Sequence, residues 1–132
     1  MTTEKPTPGG RHSRAFTIAA LPESKNPWQR LHWAKRNRIK QEWHEYVWAG
    51  VNAAPKRMPR PLESVTCHVV VLWDKPGPLP DRHNLEMAFE VIADGLVYAA
   101  IIRDDSGDQF VRGSLTLMRG EKAETVVTLR WD

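Results

Sequence analysis

A small α/β domain of the α+β type, with a mixed sheet of about four strands and two packed helices, is the fold this sequence predicts. Three observations predict it: a 132-residue length that suits one domain, four short apolar runs of strand character, and two longer segments with helical periodicity between them. Hydrophobic content of 41% and charged content of 27% are ordinary for a globular chain.

The order of elements follows from local signals. Residues 1–14, MTTEKPTPGGRHSR, read as a disordered, weakly basic tail without the apolar stretch of a signal peptide. The domain is expected over residues 15–132. Ala15 to Leu21 is a short apolar strand stopped by Pro22, and Pro22 to Pro27 reads as a polar loop. From about His32 to Ala54, Ile39, Trp43, Tyr46, Val47 and Gly50 recur at helical spacing. Pro55 to Pro61 is a basic, proline-rich loop.

Glu63 to Trp73, ESVTCHVVVLW, is strand-like with apolar residues on both faces, as in a central strand. His68 on its mixed face is expected to be a hydrogen-bonded structural histidine. A second helix runs from about Asn84 to Val97, with Leu85, Phe89, Ile92 and Leu96 facing the sheet. Glu86, Glu90 and Asp94 form a row at four-residue intervals on another side. Phe110 to Met118 and Thr125 to Trp131 are strands, and the polar stretch between them suggests a hairpin.

Charge is unevenly divided. The net charge is +3, but residues 1–60 hold 12 Lys/Arg against 4 Asp/Glu, whereas residues 61–132 hold 7 against 12. A basic half suits phosphate contact and an acidic half suits metal binding; a merely dipolar surface is the plainer account. The lone Cys67 sits in an apolar run and suggests a small buried hydrophobe in a reducing, cytoplasmic compartment. No apolar run approaches the roughly 20 residues of a membrane span.

Two segments carry chemistry. Arg30, His32, Lys35, Arg36, Arg38 and Lys40 crowd around the first helix, with Trp28 and Trp33 among them. Such a segment can grip a phosphate backbone and stack on bases, or form a solvated face with the tryptophans packed inside. Lys56, Arg57 and Arg60 extend it. The second segment, PDRHNLEMAFEVIADGLVYAAIIRDDS, opens on Asp81 and closes on Asp104 and Asp105. Carboxylates converging from both ends of a helix–turn unit can hold a hard divalent cation. Asp81 as a helix cap and Asp104–Asp105 as an ordinary turn are the alternative.

With these residues in place, the chain resembles the RusA family of phage and prophage Holliday junction resolvases. NPWQRLHWAKRNRIKQEW resembles that family's early Asn-x-x-x-Arg-x-His-Trp segment, and the Asp81–Asp105 block resembles its Asp-x-Asp-Asn, helical Lys, Asp-Gly-Leu and terminal Asp-Asp pattern. The resemblance implies a RusA-like fold, a homodimer, branched DNA as partner, and Mg²⁺ or Mn²⁺ as cofactor for phosphodiester hydrolysis. It also implies a bacterial host cytoplasm, with a phage or prophage source. It points to Asp81, Asp104 and Asp105 as catalytic and as metal ligands, and matches Asn84 to the Asn after the second acid. The residues themselves add His83 as a further catalytic candidate, Glu90 as a further metal ligand, and Arg30, His32, Lys35, Arg36 and Arg38, with Asn84, as DNA contacts.

Two positions depart from the pattern. His83 stands where the second acid belongs, and Glu90 or Met87 stands where the lysine belongs. An imidazole is a poor magnesium ligand but suits manganese or proton transfer, and Glu90 or Glu86 can replace the lost acid. A fold that has lost hydrolysis and serves as a DNA-binding or protein-interaction module is the second expectation.

Overall fold

β2 (Val65–Trp73) holds the middle of the structure because it has apolar side chains to bury on both faces. The computed structural model describes residues 10–132, apart from the side chains of residues 25 and 26. Around β2 lie β1 (His12–Ile18), α1 (Lys25–Arg30), α2 (Trp33–Asn52), a 3-10 turn over Arg82–Leu85, α3 (Met87–Tyr98), β3 (Phe110–Arg119) and β4 (Glu124–Trp131). The sheet has four strands in the order β1-β4-β2-β3. β4 pairs antiparallel with both β1 and β2, and β3 pairs parallel with β2. This is the small mixed sheet with packed helices that the sequence predicts, with α1 in addition. No helix of the described residues is long and apolar enough to cross a membrane.

β3 and β4 do not form the expected hairpin, because β2 lies between them. The connection passes over the end of β2, where the Gly120 N–H donates to the Trp73 carbonyl at 3.2 Å. A Cβ on Gly120 would stand 2.8 Å from the Leu72 Cβ, so only glycine fits that crossing without a shift. A short polar link says nothing about whether it joins neighbours or steps over a third strand.

Other boundaries moved for local reasons. β1 starts at His12 rather than Ala15, since backbone pairing of His12 with Trp131 does not need apolar side chains. Residues 1–9 of the expected tail lie outside the described residues. The expected loop at Pro22 to Pro27 runs into α1, which is too short to show a periodicity. The second helix is split: Asp81 caps the 3-10 turn and α3 proper begins at Met87.

One face of the sheet meets α2 and α3. Val65, Cys67, Val69 and Val71 of β2 pack there with Val127 and Leu129 of β4, all at most 1% exposed. α3 contributes Leu85 from its preceding turn, then Phe89, Ile92 and Leu96, the stripe read from the sequence. α2 contributes Trp43, Val47 and Val51, while Tyr46 stays at the rim, edge-on to Trp43. Each fully buried large apolar side chain is worth about 1.5–3 kcal/mol relative to exposure. Burial raises the Cys67 thiol pKa, which makes this side chain an inert hydrophobe.

His68 has the structural role expected of it. Its Nδ1 accepts the Ser114 N–H at 3.0 Å, beside an irregularity in the β2–β3 register.

The two helices touch where side chains are smallest. A Cβ on Gly95 would lie 2.8 Å from the Val47 Cβ, an atom that no rotamer change can move. Gly95→Ala gains about 1 kcal/mol of helix propensity but overpacks a rigid contact. With overpacking of a rigid Cβ at the upper part of its usual range, about 2–3 kcal/mol, the expected net effect is a loss of about 1–2 kcal/mol. It is measured as a lower urea midpoint with unchanged slope; an unchanged midpoint would show that the helices can move apart freely.

Candidate functional site

The acid row of α3 becomes a site because the opposite side of that helix is fixed to the sheet. With Phe89, Ile92 and Leu96 buried, Glu86 and Glu90 point outward and Asp94 is half-buried. Three other elements close on this row. α2 brings Lys40, the turn after α3 brings Asp105, and β3 brings Arg112. Together with Trp28 and Met87 they line a cavity of about 360 Å³. A smaller cavity of about 220 Å³ adjoins it, sharing Met87, Glu90 and Arg112 and adding His83 and Glu86.

Its electrostatics are mixed. The Arg112 guanidinium lies 3.9 Å from Glu90 Oε1 and 5.6 Å from the Phe89 ring centroid. Both ion-pair partners are about half exposed, so the pair adds little stability. Asp94 is the perturbed acid. Burial raises its pKa, Lys40 opposes that, the charge of Asp105 adds to it, His44 opposes it, and Glu90 adds the least. Lys40, Asp105 and Glu90 thus all bear on the Asp94 carboxyl in this cavity.

Of the acids expected to flank the helix, only Asp105 enters this cavity. Asp81 is exposed, and its Oδ1 accepts the His83 N–H at 3.0 Å, the capping role. The Asn84 N–H donates to the Asp81 carbonyl in the same turn. His83 Nδ1 lies 3.4 Å from Glu86 Oε1. Asp104 turns away: the Ser106 hydroxyl donates to it at 2.6 Å, and this bond holds its pKa below the usual value. Gln109 fixes the turn, with its Oε1 accepting the N–H groups of Arg103 and Asp104 at 3.1 and 3.2 Å. Among the described residues, no three His, Cys, Asp or Glu side chains gather into a group able to hold a metal ion.

Three participants were not read from the sequence as members of the site. The sequence places Lys40 only in a basic patch, and Asp94 in an acid row and at the acid of the Asp-Gly-Leu resemblance, without a site role. Arg112 was an unremarked strand residue. The i, i+4, i+8 spacing was the usable signal for Asp94; nothing local could place Arg112, because it arrives through the parallel β2–β3 pairing.

The basic segment divides into anchored and free groups. Trp28 is 7% exposed and so is not available to stack on a base, whereas Trp33 is 69% exposed. Arg36 braces α1 on α2, its Nε donating to the Trp28 carbonyl at 3.0 Å and its guanidinium 5.8 Å from the Trp28 ring centroid. His32 caps α2, with Nδ1 accepting the Ala34 N–H at 3.2 Å. Arg30, Lys35 and Arg38 are exposed. Trp43 is buried, as its place on the apolar stripe predicts.

Asp94 makes the protein's stability depend on pH in an unusual direction. An acid whose folded pKa is raised contributes stability fully below its unfolded pKa and loses it as pH rises through the folded value. In chelator-treated protein, Asp94→Asn is therefore expected to raise the urea midpoint at pH 7. The gain should vanish on acidification below the ordinary carboxylate range. A midpoint lowered at pH 7 would mean that the Lys40 attraction outweighs burial.

Comparison with known proteins adds no family: no family model matches the chain, and no curated protein matches it.

Proposed function

We propose that this chain is a RusA-like endodeoxyribonuclease that binds branched DNA as a homodimer in the cytoplasm of a bacterial host cell. It hydrolyses phosphodiester bonds with a divalent metal. The observation that carries this reading is the cavity in which Glu90, Asp94 and Asp105 face Lys40 and Arg112, beside the exposed cations of α2.

The acids of the cavity offer carboxylate oxygens, the donors that Mg²⁺ prefers. Magnesium is commonly held by one or two carboxylates plus substrate phosphates, so Asp105 with Glu90 or Asp94 fits such an ion on donor chemistry. The nearby His83 nitrogen adds a donor that suits Mn²⁺ better. When bound, such an ion polarises a phosphoryl oxygen and eases ionisation of water.

The remaining work belongs to the chain's own side chains. Arg112 and Lys40 supply positive charge to the scissile phosphate, the role the family pattern gives to a lysine that here is Met87 or Glu90. Arg30, Lys35 and Arg38 hold the backbone without sequence preference. Trp33 offers a flat exposed ring to an unpaired base at a branch. A twofold dimer would present two such sites to a junction whose resolution takes two symmetric cuts.

The second reading is a catalytically impaired RusA-fold protein that serves as a DNA-binding or protein-interaction module. What favours it is the engagement of expected catalytic groups elsewhere: Asp81 with the His83 N–H, His83 with Glu86, and Asp104 with Ser106.

Incubation with a synthetic four-way junction in Mg²⁺ and in Mn²⁺ tests both. The nuclease reading expects paired cuts, and Asp105→Asn is expected to slow them by about a hundredfold or more while binding persists. Binding without cutting in either metal supports the module. A junction left unbound overturns both.

A further inference from the structure

A second cationic pocket sits at the other end of α2 from the basic segment. It has a volume of about 430 Å³ and is lined by His12, Arg14, Lys56, Arg57 and Trp131, among others, with no acid among its described lining residues. We propose that it binds a phosphodiester group of the nucleic-acid backbone, making a second anchoring point about 25 Å along α2 from Lys35. The inference rests on the nucleic-acid reading given above and extends it to a new site.

The pocket is built, not merely charged. Arg14 donates to the carbonyls of Gly50 at 3.1 Å, Ala53 at 3.2 Å and Lys56, closing the C-terminal end of α2 and pinning the loop behind it. The same loop is held by Met58, 2% exposed, whose N–H donates to the Val51 carbonyl at 2.9 Å. Arg60 holds it a third time, donating to Asn52 Oδ1 at 2.7 Å and to the Ala99 carbonyl at 3.1 Å. Lys56 and Arg57 thus project from a fixed backbone, which lowers the ordering cost of binding.

Their charge is uncompensated. Neither Lys56 nor Arg57 makes an ion pair among the described residues. Arg60 adds a third cation to this loop; burial, and then the charge of Arg57, lower its pKa. One wall is flat: the His12 ring stacks on Trp131 with centroids 5.8 Å apart and planes at 27°. Cations beside a flat ring pair are what a backbone phosphate and its sugar or base meet in nucleic-acid grooves. The span along α2 matches about seven base pairs of one arm, at about 3.4 Å per step.

The test uses the full chain, a four-way junction and inorganic phosphate as probes. Lys56→Gln/Arg57→Gln removes two exposed cations, so the slope of log affinity against log salt is expected to fall by nearly two, at about 0.9 per contact on duplex DNA. The Lys56→Arg/Arg57→Lys variant should keep the wild-type slope. In ¹H–¹⁵N spectra, junction DNA should shift the Trp131 indole N–H in the wild type and not in the Gln variant. A wild-type slope in the Gln variant, with Arg30→Gln/Lys35→Gln lowering it, overturns this pocket and leaves DNA binding standing. A Trp131 shift with inorganic phosphate but not with the junction would also overturn it, assigning the pocket to a free anion. A wild-type protein that binds no junction removes this inference together with the reading on which it rests.

Discussion

The contact of Gly95 with Val47 is the constraint from which the site geometry follows. Because no Cβ separates the helices there, α3 lies close against α2, with α3 on β2 and α2 on β1. Beside that contact Asp94 is half-buried and shares a cavity with Lys40. A looser contact would let solvent screen these charges and turn the cavity into an ordinary polar helix face. Across this contact the acids of α3 and Lys40 of α2 line one cavity.

Much of the fold was legible because burial leaves periodic traces. The two-sided apolar pattern of β2 marked a central strand, and the Leu85–Leu96 stripe marked the sheet-facing side of α3. Pairing of backbones leaves no such trace. Hence β1 reaches back to His12, and β4 sits beyond β2 instead of beside β3.

The site was less legible because its members come from distant parts of the chain. Asp105 and Glu90 were singled out from the terminal acid pair and the helix pattern, and both face the cavity. Asp81 and Asp104 were singled out by the same pattern, yet local hydrogen bonds to His83 and Ser106 engage them. Short-range capping competes with ligand duty for such acids, and a sequence motif does not say which prevails. Arg112 illustrates the opposite case: its charge reaches Glu90 only through tertiary folding. The tryptophans divide likewise, Trp28 going to the interior under Arg36 and Trp33 staying outside.

The central claim is that an ion and a DNA strand meet over Glu90, Asp94 and Asp105. Anomalous diffraction from crystals of the protein bound to junction DNA and Mn²⁺ would measure this most directly. The account requires a manganese peak within bonding distance of Asp105 and at least one of Glu90 and Asp94, with Arg112 or Lys40 beside the adjacent phosphate. A peak held by Asp81 and His83 with Asp105 remote from it, or no peak at saturating Mn²⁺, would contradict it.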